Sequence, residues 1–307
     1  MSAPTSRPRI LCVADQRGWI FDRHIAALRR FLGERFEIVP HYYWDKQPYD
    51  EGEYDLVYTL EWNLARPELM RRRERNVTGI RSHVAWEAMG AAGLGLILRE
   101  RFGAVHAVSR RLCGIFAPHL PGVAYVTHGV DLELFTPGCA PGAHGGPLRL
   151  GWAGNRQSPG DKGCGLLDGL GGLAGVALAT CGLGERMLTL EDMPGFYAGI
   201  DVYCCASLTE GSNNSLLEAA ASGRGIVTTD NGTVPEYLRH GESAFIVERR
   251  PEAFERAVRE LARDRELLAR MGAAAREAVR AFDWRAKALD YAGFFDRALN
   301  KESQPDG

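Results

Sequence analysis

Two carboxylates eight positions apart mark where this chain of 307 residues could do chemistry. Glu210 opens the run Gly211, Ser212, Asn213, Asn214, and Glu218 follows Leu217. The apolar run Ile200–Ala206 just before them reads as a buried strand, and a helix is expected from about Asn213. The first turn of a helix has unpaired N–H groups and the positive end of the dipole, so it is a natural anion site. Glu210 then sits at the mouth of the loop. Glu218 lies roughly 7–8 Å further along the helix at about 1.5 Å per residue. One carboxylate can face a polyol beside a phosphate, and the other can face a second group of hydroxyls. The pair does not read as the acid and base of a glycosidase. Those must flank one scissile bond, where a phosphate-binding helix start is of no use.

The elements that must position these residues alternate strand and helix. Strands are expected at Ile10–Ala14, Glu37–Tyr43, Tyr54–Leu60, Gly79–Val84, Ala104–Val108 and Val123–Thr127, with a helix from about Asp22 to Leu32 and Ser109 as the N-cap of another. The stretch Pro137–Pro147 is dense in glycine and proline and reads as a linker. A second cycle follows, with strands at Leu148–Ala153, Gly175–Thr180, Ile200–Ala206, Gly225–Thr229 and Ala244–Val247, then helix from Pro251 to Asn300. Such alternation implies α/β architecture with two parallel sheets. The expected division is an acceptor-binding domain over 1–137, a linker at 138–147, a donor domain over 148–282, and a last helix at 283–307 that returns to the first domain. Two such domains imply a cleft between them, with ligand beyond the carboxyl ends of the strands.

Composition narrows the classes. A net charge of −2, with 45% hydrophobic and 25% charged residues, is that of an ordinary soluble protein. Neither half is strongly basic, so nucleic acid is not an expected partner. Seven scattered cysteines without a C-x-x-C suggest neither a disulfide framework nor a zinc site, and a cytoplasmic setting is expected. The opening residues lack the apolar length of a signal peptide. No G-x-G-x-x-G follows the first strand, and there is no Walker A motif, nucleophile elbow or D-x-D pair. The run Arg66–Arg81 holds six arginines. Two readings stay open for it: a solvated helix face, or a patch for an anionic acceptor or a membrane surface at the inner face.

Four motifs, taken in order, resemble those of the family-4 retaining glycosyltransferases of the two-Rossmann-domain (GT-B) type. Glu210, Gly211, Leu217, Glu218, Ala219 and Gly223 match its Glu-Gly…Leu-Glu-Ala signature, with Asn214 and Leu216 as in its Asn-x-Leu-Leu-Glu branch. Thr229, Asp230, Gly232, Pro235 and Glu236 match the strand and turn that follow. Thr127–Asp131 with Phe135 and Pro137 resembles the end of the family's first domain. Leu150–Gly163 resembles the opening of the second, with Arg156 and Lys162 six residues apart. The likeness covers about residues 127–300 well and the first 126 only in pattern.

The resemblance implies a hexosyltransferase-like enzyme that takes its sugar from a nucleoside diphosphate, UDP or GDP ahead of others. The acceptor would be a hydroxyl of a carbohydrate or glycoconjugate. Arg156 and Lys162 would hold the diphosphate and neutralise its developing charge, Arg by a bidentate grip and Lys as a point charge. Glu210 would meet the donor sugar and Glu218 the ribose. Gly211, Ser212, Asn213, Asn214 and Leu217 would complete the donor site. A histidine of the first domain would lie near the sugar, His83 first and His106 second. No metal or other cofactor is implied, since a helix dipole, Arg and Lys stand in for a cation, and the leaving phosphate can take the acceptor's proton. The first loop departs from the family, carrying Gln16, Arg17, Gly18 and Trp19 where two glycines are usual, and Gly18 and Trp19 are assigned to the acceptor side. A nucleotide-sugar-binding partner subunit without catalysis is the alternative.

Overall fold

A computed structural model describes residues 7–83 and 85–302. The chain forms two compact units, one of residues 1–128 with 284–307 and one of residues 129–283.

The first unit holds a sheet of six parallel strands. In chain order it runs β1 (Arg9–Ala14), α1 (Ile20–Leu32), β2 (Glu37–Tyr42), β3 (Leu56–Thr59), β4 (Asn76–Ile80), α2 (Gly90–Arg101), β5 (Ala104–Ala107), α3 (Arg110–Phe116) and β6 (Ala124–Tyr125). The strand order is β2-β1-β3-β4-β5-β6. The direction of winding therefore reverses between β1 and β3, the place where open α/β sheets take their ligands. Ser109 caps α3 by accepting from the Leu112 N–H at 3.2 Å.

The second unit repeats the plan. It contains β7 (Leu148–Asn155), α4 (Pro159–Lys162), α5 (Cys164–Asp168), β8 (Val176–Leu183), α6 (Met193–Ala198), β9 (Val202–Cys205), α7 (Asn214–Ala221), β10 (Gly225–Thr228), α8 (Val234–Tyr237), β11 (Phe245–Ile246), α9 (Pro251–Arg263) and α10 (Arg265–Ala278). Its five parallel strands are ordered β11-β10-β9-β7-β8, so the reversal falls between β7 and β9. The final helix, α11 (Trp284–Glu302), belongs to the first unit. There Trp284, Tyr291 and Phe295 join Ile10, Leu28, Phe36 and Tyr58 in one buried cluster.

The stretch 138–147, read from its composition as a linker, clusters with the second unit. The buried Asp201 carboxylate accepts from the Gly142 N–H at 2.9 Å and the Arg149 N–H at 2.8 Å, and pairs with His144 and the Arg149 guanidinium. The buried Arg224 donates to the Cys139 carbonyl at 2.9 Å.

The helix reading of Arg66–Arg81 is corrected by the structure. Short 3-10 turns at Pro67–Leu69 and Arg73–Arg75 lead into β4. The cause is distant in sequence: the buried Glu51 carboxylate accepts from the N–H groups of Arg71 and Arg72 at 2.9 and 3.1 Å and from the Asn76 amide. Several of the arginines are spent on carbonyls, Arg66 on Gln47, Arg73 on Arg99 and Arg75 on Tyr54. β4 also starts earlier and ends earlier than expected, at Ile80. Val84, the expected end of that strand, lies outside the described residues. The seven cysteines are all free. No described helix is long and apolar enough to cross a membrane.

Candidate functional site

The reversal between β7 and β9 brings together two loops that are far apart in sequence. After β7, the Gln157 N–H donates to Asn155 Oδ1 at 2.8 Å, and the Lys162 N–H donates to the Ser158 carbonyl at 3.1 Å. After β9, the Leu208 N–H donates to the Asp161 carbonyl at 2.7 Å, tying the second loop to the first. The approach is closest at Gly163, whose φ is +65°. A Cβ there would stand 2.3 Å from the Ala206 carbonyl oxygen, so only glycine fits both the backbone conformation and the space. Arg249 clamps the same pair of loops, donating to the Ala206 carbonyl at 2.8 Å and to that of Gly160.

The result is an ion pair at the head of α7. Lys162 Nζ donates to Glu210 Oε1 at 2.6 Å. Burial pulls the Lys162 ammonium down, but the Glu210 charge and hydrogen bond outweigh it and hold the pKa above the usual value. Asn213 is the N-cap of α7. Its Oδ1 accepts from the Leu216 N–H at 3.0 Å, while its amide donates to Glu210 Oε1 at 3.4 Å. The cap thus fixes the helix start and aims Glu210 at the same time. Asn214 is the first helical residue. Ser212 is buried with its Oγ 3.2 Å from Thr233 Oγ1. The turn around Gly232 lies against Gly211, where a Cβ would come within 2.9 Å of the Gly211 carbonyl oxygen. Thr229 braces the loop from below by donating to the Ser207 carbonyl at 2.6 Å.

Glu218 is only 7% exposed and accepts from the Tyr197 hydroxyl at 2.8 Å. Burial, together with the neighbouring Glu218 charge, raises the Tyr197 phenol well above its ordinary range. Leu217 was expected in the donor site, but it is fully buried in the cluster with Tyr203, Ile226 and Val234. Its apolar side chain supports the helix from beneath.

Arg156 is not joined to the Lys162–Glu210 pair. Its guanidinium grips Asp168 with two hydrogen bonds, at 2.9 and 3.2 Å, and also pairs with Glu185. The Asp168 hydrogen bond is the main reason its pKa is raised. It lies over the Trp152 ring at 5.6 Å.

In the first unit, Gly18 has φ +74° and its N–H donates to Asp22 Oδ2 at 2.8 Å at the head of α1. Trp19 is the exposed N-cap residue of that helix. His83 follows β4 and is half-buried, with its ring 5.6 Å from that of Trp86. His106 is a core residue: Nε2 lies 2.8 Å from the Tyr58 hydroxyl and Nδ1 2.9 Å from the Val126 carbonyl. Burial drives it well below the ordinary imidazole range, so it is neutral.

Sequence reasoning missed a buried polar group near these residues. Arg81 is 8% exposed and donates to Tyr58, Tyr291 and the Leu60 carbonyl at 2.6, 2.8 and 2.6 Å. Glu61 accepts from its N–H at 3.2 Å. Burial pushes the Glu61 carboxyl up to about 8, against the opposing pull of Arg81. Neither Arg249 nor Glu61 sits in a recognisable local motif. Only the fold reveals them.

Comparison with known proteins places these features in context. Residues 176–264 match the family described as glycosyl transferases group 1. Over 111 residues the chain is 32% identical to D-inositol 3-phosphate glycosyltransferase of Streptomyces griseus, a match covering 36% of this chain and 24% of that protein. Over 128 residues it is 28% identical to the enzyme of the same name from Corynebacterium glutamicum, covering 40% and 31%. These matches span about a quarter to a third of the curated relatives' length. The fold is that of GT-B proteins. The Anabaena protein HepE, solved with UDP and glucose, superposes with a TM-score of 0.75 at 14% identity, covering 95% of this chain and 100% of that one. Sucrose-phosphate synthase from Thermosynechococcus elongatus superposes at 0.73 with 13% identity, covering 96% and 100%.

Proposed function

We propose that this chain is a glycosyltransferase that moves a sugar from a nucleoside diphosphate to a hydroxyl of a carbohydrate or glycoconjugate, with retention at the anomeric carbon. The observation that carries the reading is the Lys162–Glu210 pair, held at the β7/β9 reversal beside the start of α7. The matched group 1 segment, which contains Glu210 and Glu218, supports it, as does a similar fold solved with UDP-glucose. The donor is a UDP or GDP sugar.

The roles follow from charge. As the bond between the sugar and the diphosphate breaks, negative charge grows on the leaving oxygens. Lys162 and the positive end of the α7 dipole meet that charge, and Arg156 adds a second cation when the donor competes with Asp168 and Glu185. Glu210 accepts from the donor sugar's hydroxyls once Lys162 turns to phosphate. Glu218 accepts from the ribose hydroxyls. The acceptor oxygen forms the new bond on the face the diphosphate leaves, and its proton passes to a leaving phosphate oxygen. No protein nucleophile and no metal ion is needed in this scheme. The acceptor is assigned to the first unit, with Gly18 and Trp19 in its first loop.

A thermal-shift panel of UDP, GDP, ADP and TDP with their sugar conjugates tests the reading, run with magnesium and with EDTA. Ligand at 100 times its dissociation constant adds about 2.7 kcal/mol of stability. The expected result is a shift with one base that survives EDTA. No shift with any nucleotide overturns the proposal. Binding without turnover on any acceptor or water would make the chain a sugar-nucleotide-binding subunit.

A further inference from the structure

The large aromatic side chains exposed among the described residues are Trp19, Tyr43 and Trp44, and all three lie on loops leaving the carboxyl ends of adjacent strands β1 and β2. The Trp19 and Trp44 rings are 5.9 Å apart. Trp44 is 56% exposed and presents a large aromatic surface to solvent beside Trp19. Its backbone is not loose. Tyr43–Asp45 forms a 3-10 turn closed by Lys46, whose N–H donates to the Tyr43 carbonyl at 3.2 Å. Lys46 has φ +54° and is the one described non-glycine residue with positive φ, a left-handed conformation that L side chains rarely adopt.

A groove of about 680 Å³ beside this turn is lined by Tyr43, Trp44 and Lys46 together with Ala65, Arg66, Pro67 and Glu68. Arg66 is preset there, donating to Glu68 at 2.9 Å and to the Gln47 carbonyl at 3.0 Å. Besides Ala65 and Pro67, the lining is aromatic rings bordered by ammonium, guanidinium and carboxylate. A pyranose ring is the matching object. Its apolar C–H face lies on an aromatic face, and its rim of hydroxyls meets charged donors and acceptors.

We propose that this groove is a saccharide subsite, with Trp44 as the stacking face and Lys46 and Arg66 on the sugar's polar rim. Its role as the acceptor's subsite rests on the transferase reading; the binding of sugar does not. Tyr43 and Trp19 extend the platform, so the groove suits a sugar chain rather than a lone monosaccharide.

The full chain, without nucleotide, is applied to a printed glycan array that includes neutral, uronic-acid and phosphorylated oligosaccharides. Wild type should bind a defined subset. Trp44→Ala should lose at least tenfold in signal while Trp44→Phe keeps most of it, and Lys46→Ala should weaken acidic glycans most if the sugar is anionic. Trp44 is exposed, so the alanine variant should keep the wild-type melting temperature and nucleotide-induced shift. No glycan above background, or an unchanged pattern in Trp44→Ala, overturns the proposal. So does a Trp44-dependent dimer in sedimentation without glycan binding, which would give the surface to a second copy of the chain. Trp44-dependent glycan binding without any nucleotide shift would leave the subsite standing and remove the transferase reading.

Discussion

Lys162 Nζ and Glu210 Oε1 stand 2.6 Å apart although 48 residues separate them. Each belongs to the loop after one of the two strands where the second sheet reverses. Lys162→Ala and Glu210→Ala should each lower transfer at least 100-fold. Both side chains keep some contact with water, so stability should change by only about 1 kcal/mol. Circular dichroism melts alongside turnover check this, and near-normal rates in both variants would sink the assignment.

Glu218 makes a separable prediction. If it holds the ribose, Glu218→Gln should weaken nucleoside diphosphate binding about tenfold or more while inhibition by inorganic pyrophosphate stays the same. Equal weakening of both ligands in calorimetry would mean that the helix itself had shifted. Tyr197→Phe removes the hydroxyl that donates to Glu218 and should give a smaller loss in the same direction.

Arg156 is engaged by Asp168 and Glu185 in the structure, so a donor must compete with two carboxylates. Asp168→Asn should therefore tighten diphosphate binding, and Arg156→Ala should weaken it. Titrations at low and high salt are the check. An Asp168→Asn variant that binds more weakly would show that the pairing orients Arg156 rather than restraining it.

The Glu61 carboxyl gives a pH prediction. Its ordinary value is 4.5 and burial lifts it to about 8 in the folded chain. Between those values the folded state holds a proton that the unfolded state has lost, so this group's contribution is fully present below pH 4.5 and is lost as pH rises through 8. Glu61→Gln should remove that slope. Its melting temperature should exceed wild type at pH 8.5 and approach it at pH 5, by about 2 °C for each kcal/mol at this chain length. Parallel melting curves for the two proteins across this range would refute the buried, proton-holding Glu61.

The site was legible where chemistry is local. The Glu210–Glu218 segment states its own strand, loop and helix, because an apolar run, a polar loop and a capping residue follow one another directly in the sequence. Strand positions were legible because parallel strands buried on both faces are continuous apolar runs. The failures share one cause, a partner distant in sequence. Nothing near Arg71 says that Glu51 will take its N–H, so the arginine run looked helical. Nothing near Arg249 points to Ala206, and nothing near Arg156 points to Asp168. Asp201 and Arg224 likewise hold a stretch whose composition reads only as loop.

The first unit is discontinuous in sequence, since Trp284, Tyr291 and Phe295 complete a core begun by Ile10 and Leu28. On the ribosome, its six strands emerge long before that last helix. At roughly 5–20 residues per second, the wait is on the order of 10–35 seconds. The second unit emerges in full during this interval and can fold first, while the first exposes an unfinished apolar face. Chaperone demand should therefore fall on the earlier-made half, and a ribosome stalled short of Trp284 should release a chain with one folded unit and one open to protease.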